Sequence, residues 1–285
     1  MPLEQPSSHQ ILLGMGQMLV EMGEPERNLQ RAVGMIRHAA ASGCRIVVLP
    51  ECLDFGWTFP GAQHLAQPIP GLHSEQLCAA AREAGIFVVA GLTESDGGLV
   101  YNSAVLISER GQILLKHRKI NELDIGREVY HPGRSLAVVE TPLGVIGITI
   151  CADNFPDSLA LGHAIARMGA HILLSPCAWA VDANHDNSRT PYGDLWRNSY
   201  TKLAGLYEMP VVGVSNVGWL TAGPWKGRKC IGCSLAVGRA GEILSQGPYG
   251  EQAEALIPVF LTLRDRPAPG TAFSDWLRGR GREPV

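Results

Sequence analysis

The chain has 285 residues with 24 basic and 27 acidic side chains, and its net charge of −3 gives no basic footprint for a nucleic-acid partner. The first residues resemble no signal peptide, and no apolar run approaches the roughly 18 residues of a membrane span. We therefore expect a soluble, cytoplasmic protein with no membrane partner, whose seven scattered cysteines are reduced thiols.

Strand and helix signals alternate along the first half of the chain. The predicted strands lie at 11–20, 45–49, 86–93, 100–108 and 112–118. Glu24-Pro25-Glu26 predicts the start of a helix that ends at Gly43, and Ser74 is a plausible cap for a second helix through Ala84. Glu109-Arg110-Gly111 is typical of a hairpin turn between the last two strands.

The second half repeats this alternation without a linker long enough to divide the chain. Its predicted strands lie at 145–150, 171–175, 210–216, 231–237 and 254–261, and its predicted helices at 157–168 and 193–208. Two facing strand-helix layers fit this order. We expect one α/β domain over residues 1–264, and a peripheral tail over 265–285 that is a candidate for packing on a partner subunit.

Three reactive side chains follow three apolar runs at the point where each run ends. The runs RIVVL, QILLKHR and VIGITI lead to Glu51, Lys119 and Cys151, respectively. Short β-branched runs of this kind predict buried strands. Because chemistry in open α/β sheets gathers beyond the carboxyl ends of strands, we expect the three side chains to share one crevice.

The three residue types are chemically sufficient for acyl transfer through a thioester. A thiol with a pKa of roughly 8.5 is a poor nucleophile at neutral pH unless a base removes its proton. Glu51 could be that base for Cys151. Lys119 could face the oxyanion of a tetrahedral intermediate, helped by a backbone N–H just after Cys151.

The segments LPECLDFGW, LLKHRKINELDIGREVYHPG and GVIGITICADNFPD resemble the nitrilase superfamily of carbon–nitrogen hydrolases. The similarity extends from about Leu12 to about Phe260. It implies an α-β-β-α sandwich that usually dimerises and a Glu-Lys-Cys triad in this chain order. By this resemblance Glu51 is the general base, Lys119 the oxyanion stabiliser and Cys151 the nucleophile.

A second glutamate often assists catalysis in this superfamily, shortly before a Pro-Gly turn that follows the lysine. Glu128 lies four residues before Pro132-Gly133 and is the preferred candidate. Glu122, three residues after Lys119, is the competitor.

The residues around the cysteine favour an amide over a nitrile. Cys151-Ala152-Asp153 differs from the Cys-Trp-Glu signature of true nitrilases and resembles the Cys-x-Asp pattern of amidases and carbamoyl-amide hydrolases. We expect Ala152 and Asp153 to border the pocket.

The segment after the predicted strand HILLS is a further candidate for the pocket wall. We expect Cys177 and Trp179 to border the pocket there, although Cys177 is also a rival nucleophile. Arg189 could bind a substrate carboxylate in bidentate fashion, or it could be a solvated surface arginine.

The sequence thus predicts an enzyme whose partners are a small-molecule amide, water and further copies of the chain, in a homodimer or higher oligomer. No cofactor is expected. No metal is expected either, since the eight-residue gap between His163 and His171 matches no usual zinc spacing. A nitrilase, an N-carbamoyl-amine or N-carbamoyl-amino-acid hydrolase and a non-catalytic interaction protein remain alternatives.

Overall fold

The computed structural model describes residues 8–264, which form two large β-sheets, a smaller third sheet and five α-helices. The strands are β1 (Ser8–Gln17), β2 (Ile46–Val48), β3 (Phe87–Asp96), β4 (Leu99–Ile107), β5 (Ile113–Arg118), β6 (Val138–Thr141), β7 (Gly144–Ile148), β8 (Ile172–Cys177), β9 (Ala180–Val181), β10 (Val211–Ser215), β11 (Val217–Trp219), β12 (Lys229–Ile231), β13 (Leu235–Val237), β14 (Ile243–Gln246) and β15 (Ala255–Arg264). The helices are α1 (Pro25–Ala41), α2 (Ala62–Leu65), α3 (Leu72–Ala84), α4 (Ala160–Arg167) and α5 (Asp194–Tyr207).

Each large sheet has six strands and a parallel centre. The first has the order β15-β1-β2-β3-β4-β5, and the second has the order β14-β13-β10-β8-β7-β6. Strands β1, β2 and β3 are parallel, as are β7, β8 and β10, while the outer strands pair antiparallel. Parallel neighbours need a crossover, which α1 and α3 supply in the first sheet and α4 and α5 in the second.

The two sheets pack face to face, with helices on both outer surfaces. Val48 of β2 and Leu174 of β8 belong to one buried cluster that joins the sheets. Val47 faces the other way and packs with Leu29 of α1 and Leu77 of α3. This alternation explains why β2 is apolar throughout, since both of its faces are buried. The result is the expected α-β-β-α sandwich.

The predicted helices and strands agree with the structure within a few residues, whereas most of the short elements were missed. Strands β6, β9, β11, β12 and β14 and the four-residue helix α2 were not predicted. Helix α3 begins at Leu72 rather than at Ser74, whose hydroxyl instead accepts the N–H of Gly71 and donates to its carbonyl, both at 2.9 Å.

The predicted tail over 265–285 lies outside the described residues. Within residues 8–264, every helix is too short or too polar to cross a membrane.

Candidate active site

Glu51, Lys119 and Cys151 line one cavity of about 90 Å³. Glu51 lies just beyond β2, Lys119 directly follows β5, and Cys151 begins a 3₁₀ turn, Cys151–Asn154, just beyond β7. The three strand ends therefore bring together the three side chains that the sequence singled out.

Glu51 is held by close backbone packing and by two side-chain donors. Its N–H donates to the carbonyl of Cys177 at 3.2 Å, and a Cβ on Gly91 of β3 would lie 2.5 Å from its Cα. The amide of Asn102 donates to Glu51 Oε1 at 2.6 Å, and Lys119 Nζ donates to the same oxygen at 2.7 Å. Only glycine fits opposite Glu51, so the carboxylate has a fixed place in the wall.

Lys119 is buried between two carboxylates. Its Nζ lies 2.7 Å from Glu51 Oε1 and 3.5 Å from Glu122 Oε2, and its own backbone N–H donates to Asn102 at 2.8 Å. Burial disfavours the ammonium, but the charges of Glu122 and Glu51 outweigh it and raise the pKa of Lys119 well above its usual value. Lys119 therefore carries a positive charge at neutral pH.

Glu122, and not Glu128, is the second glutamate beside Lys119, which differs from the sequence-based preference. Burial, with a further contribution from Glu51, raises the pKa of Glu122 to about 7, against the opposing charge of Lys119. Glu128 lies in the 3₁₀ turn Gly126–Glu128 with its side chain exposed. That turn rotates Glu128 toward solvent.

Cys151 has a strained backbone and a protonated side chain. Its φ is +42°, in the left-handed region that non-glycine residues rarely adopt, and its N–H donates to Ser175 Oγ at 3.1 Å. A hydrogen bond with Cys177, burial and the charge of Glu51 raise the pKa of the Cys151 thiol well above its usual value, while Lys119 lowers it. A base is therefore needed to form the thiolate at neutral pH.

Asp153 does not line the cavity, in contrast to the prediction, but forms hydrogen bonds that hold two segments of the site together. Its carboxylate is buried and accepts the N–H groups of Ile120 and Asn121 at 3.1 and 2.8 Å, directly after Lys119. It also accepts the N–H of Ile150 at 3.1 Å and pairs with His117 Nε2 at 2.9 Å. Asp153 thus ties the segment that carries Lys119 to the turn that carries Cys151.

Of the other residues that were predicted to bind substrate, only one lines the cavity. Trp179 lines the cavity. Ala152 and Cys177 are buried beside Cys151 but are not among the residues lining this cavity, although Cys177 touches Cys151 through its thiol. The side chain of Arg189 is 84% exposed, 3.9 Å from Asp186 and outside the cavity wall. The solvated alternative for Arg189 is the one that the structure favours.

Six of the thirteen residues that line the cavity are aromatic, and the sequence had indicated only some of them. The lining residues are Glu51, Trp57, Lys119, Leu123, Cys151, Phe155, Ala178, Trp179, Ala180, Tyr192, Leu195, Trp196 and Trp225. Trp179 and Trp196 stack with ring centroids 4.8 Å apart, and Trp57 meets Trp225 edge-on at 5.0 Å. Trp57 stands in the LPECLDFGW segment, which could have flagged it, whereas nothing around Trp225 could have.

Among the described residues, no group of three or more His, Cys, Asp or Glu side chains is placed to hold a metal ion. The cavity presents a thiol, an ammonium and the carboxylate of Glu51, with Glu122 beside Lys119 and aromatic side chains in the wall. This set is suited to nucleophilic attack on an acyl carbon.

Residues 12–263 match the family model described as carbon-nitrogen hydrolase, and the chain belongs to that family. A nitrilase of Pyrococcus abyssi is 31% identical over 257 residues, which are 87% of this chain and 88% of the relative. An omega-amidase of Xenopus tropicalis is 35% identical over 178 residues, which are 59% of this chain and 63% of the relative. The chain thus spans about three fifths of the length of the omega-amidases that it matches.

Solved structures agree with the fold. A carbon-nitrogen hydrolase from Helicobacter pylori superposes with a TM-score of 0.77 at 21% identity, over 89% of each chain. An amidase from Nesterenkonia sp. superposes with a TM-score of 0.71 at 21% identity, over 95% of this chain and 96% of the other.

Proposed function

We propose that this protein hydrolyses the carbon–nitrogen bond of a small-molecule amide through a thioester on Cys151. The observation that carries the proposal is the convergence of Glu51, Lys119 and Cys151 on one cavity, with Lys119 hydrogen-bonded to Glu51. Membership of the carbon-nitrogen hydrolase family and the Cys-x-Asp pattern at 151–153 support it.

In the acylation step, Glu51 takes the proton of the Cys151 thiol, and the thiolate sulfur attacks the amide carbonyl carbon. The carbonyl oxygen becomes an oxyanion, which Lys119 and the backbone N–H after Cys151 stabilise. Glu51 then returns the proton to the amide nitrogen. The carbon–nitrogen bond breaks, and ammonia or an amine leaves while the acyl group stays on sulfur.

In the deacylation step, Glu51 takes a proton from a water molecule, whose oxygen attacks the thioester carbon. The second tetrahedral intermediate collapses, the carbon–sulfur bond breaks, and the carboxylic acid is released. The proton held by Glu51 returns to sulfur. Glu122 lies on the other side of Lys119 and helps to set the charge of the ammonium that faces both oxyanions.

A nitrile is the second candidate substrate, because the Pyrococcus abyssi relative that matches along 88% of its length is named a nitrilase. The thiolate would add to the nitrile carbon to give a thioimidate. Two molecules of water would then release ammonia and the acid.

The test is ammonia release by the full chain from aliphatic amides, ω-amido acids, N-carbamoyl compounds and nitriles. Cys151→Ala should abolish release from any true substrate. Cys78→Ala, which removes a half-buried thiol on α3, is the matched control and should retain activity. Turnover of nitriles with no amide turnover would favour the second candidate, and full activity of Cys151→Ala would overturn the site.

The non-catalytic alternative makes a distinct prediction. A site that has lost turnover should show no selective labelling of Cys151 by a thiol electrophile at neutral pH. Selective labelling that depends on Glu51 would exclude it.

We propose that the enzyme works as a homodimer or higher oligomer in a reducing cytoplasm. The large exposed side chain of Phe260 on β15, with 65% of its surface accessible, and the resemblance to a dimerising superfamily support the assembly. Seven cysteines that form no disulfide within residues 8–264 support a reducing cytoplasm as the compartment. Sedimentation velocity tests the assembly, and a monomer at every concentration would contradict it.

A further inference from the structure

The wall of the cavity carries apolar side chains and little charge. Apart from the cluster of Glu51, Lys119 and Cys151, every lining residue is aromatic or aliphatic. The stacked pair Trp179–Trp196 is almost fully buried. An acyl chain that enters this cavity therefore exchanges water for indole and alkyl surface.

In the proposed mechanism the ammonium of Lys119 serves the reacting carbonyl oxygen, so it does not bind a carboxylate at the far end of the substrate. Lys119 already faces two carboxylates, at 2.7 and 3.5 Å. When Glu122 is ionised, the three charges of this cluster sum to negative. A second anion in the cavity would meet repulsion as well as the loss of its hydration.

The arginines of the neighbouring loops are placed elsewhere. Arg189 is exposed to solvent near Asp186 and does not line the cavity. Arg228 stacks on Trp225 at 4.3 Å from the ring centroid, but it pairs with Asp182 at 3.0 Å and is not among the residues that line the cavity. Within residues 8–264, the cavity wall thus offers no guanidinium to bind a carboxylate.

We propose that the preferred substrate is the primary amide of a short, uncharged, apolar acid, and not an ω-amido carboxylate. The inference rests on the proposed amide hydrolysis and narrows its substrate class. It differs from what the name of the omega-amidase relatives says of them. The cavity volume of about 90 Å³ favours a short acyl chain.

The test compares three amides of matched shape with the full-length enzyme. These are 4-methylpentanamide, 4-oxopentanamide and succinamate, which end in an isopropyl, an acetyl and a carboxylate group. We expect kcat/KM to fall in that order, with 4-methylpentanamide at least about 100-fold above succinamate. Equal or better hydrolysis of succinamate would overturn the inference.

A charge placed at the mouth of the cavity tests the cause of the preference. Leu195 lines the cavity and is 43% exposed, so Leu195→Arg should fold and supply the missing guanidinium. We expect this variant to reduce the ratio of kcat/KM for 4-methylpentanamide to kcat/KM for succinamate by about 10-fold or more. Leu244→Arg, on β14 and 39% exposed, is the matched control and should leave the ratio unchanged. An equal effect of the two variants would contradict the electrostatic explanation.

A binding assay separates this inference from the proposed function. The aldehydes 4-methylpentanal and succinic semialdehyde carry the same two end groups and add reversibly to a thiol as a thiohemiacetal, without turnover. We expect 4-methylpentanal to protect Cys151 from iodoacetamide at least about 100-fold more effectively. This result would support the pocket preference even if no amide were hydrolysed, and the reverse order of protection would overturn it.

Discussion

Two clusters of basic and acidic side chains lie on β5 or directly after it and are built from the same kinds of residue. The Lys119 cluster consists of Lys119, Glu51 and Glu122. The Glu94 cluster consists of Glu94, Asp96, Lys116 and Arg118. They differ in how their charges are matched.

In the Glu94 cluster, two cations face two carboxylates. Arg118 donates to Glu94 through Nε at 2.8 Å and through Nη2 at 2.6 Å, and Lys116 pairs with the same carboxylate. Burial alone would raise the pKa of Glu94, but the bonds from Arg118 and Lys116 outweigh it and lower the pKa below its usual value. Such a carboxylate stays ionised and holds strands β3 and β5 together.

In the Lys119 cluster, one cation faces two carboxylates. Glu51 takes the close contact, and Glu122 is left at 3.5 Å with a pKa raised to about 7. Hydrogen bonds from two cations keep the pKa of Glu94 low, whereas burial beside a single cation that is shared with Glu51 raises the pKa of Glu122 to about 7. Perturbed groups of the second kind are typical of catalytic sites.

The largest effect should come from removing the shared cation of the Lys119 cluster. Lys119→Met should lower kcat/KM by about 1000-fold, because the oxyanion loses its charged donor. Lys116→Met removes the corresponding cation three residues earlier and should change kcat/KM by about twofold at most, since Lys116 does not line the cavity. Steady-state kinetics on the best amide checks both variants. Equal losses would show that the two clusters do not differ in function.

The second effect concerns the proton on Glu122. The folded pKa of about 7 lies above the unfolded value of about 4.5, so the stabilisation is fully present below pH 4.5 and is lost as the pH rises through 7. Glu122→Gln is neutral at every pH and therefore does not lose this stabilisation. Relative to the wild type, its free energy of unfolding should show a gain of about 3 kcal/mol between pH 4.5 and pH 8. Urea denaturation across this range measures the difference.

The same substitution at the exposed glutamate is the control. Glu128→Gln should show no such gain, and it should retain an inflection near pH 7 in kcat/KM that Glu122→Gln loses. A gain in Glu128→Gln, or none in Glu122→Gln, would reverse the assignment of the second glutamate.

The third effect concerns Glu94, whose contribution to stability depends on pH in the opposite direction to that of Glu122. Because the pKa of Glu94 is lowered, its contribution to stability is present above the unfolded pKa of about 4.5 and is lost as the pH falls through the folded pKa. Glu94→Gln should cost about 1–3 kcal/mol at pH 7, since two cations lose a buried acceptor, and the cost should shrink in acid. Urea denaturation at pH 7 and pH 3.5 tests this, with kcat/KM expected to stay near the wild-type value. A cost that grows in acid would contradict the pairing.

Local patterns predicted the alternating strands and helices and the shared cavity of Glu51, Lys119 and Cys151, whereas the four-layer sandwich was implied by the resemblance to a known family. The apolar runs before Glu51, Lys119 and Cys151 contain strands β2, β5 and β7, each of which ends just before its reactive side chain. Strands β2 and β5 belong to the first sheet and β7 to the second, so the three side chains meet only because the two sheets pack face to face. The parts that escaped prediction depend on long-range contacts. Strands β9, β11 and β12 have two or three residues each, too few to show an alternating pattern, and they form only by pairing with one another.

The choice between the two glutamates shows the same limit within the site. Both follow Lys119 within ten residues, and the resemblance favoured Glu128 because it lies shortly before Pro132-Gly133. The position of each glutamate depends on the backbone conformation after Lys119. Asp153 accepts the N–H groups of Ile120 and Asn121, and this backbone conformation places Glu122 against Lys119. That contact joins residues more than thirty positions apart, which no local pattern reveals.

The smallest effect should come from the exposed member of the Glu94 cluster. Asp96 lies 2.6 Å from Arg118, and this contact lowers the pKa of Asp96, yet its side chain is 60% exposed and screened by salt. Asp96→Asn should therefore leave both Tm and kcat/KM within experimental error of the wild type at physiological ionic strength. Arg118 keeps its two bonds to Glu94 and its stacking on Tyr101 at 3.8 Å without Asp96. A loss of Tm comparable to that of Glu94→Gln would mean that Asp96 orients Arg118, and that the matched charges act as one cooperative unit rather than through Glu94 alone.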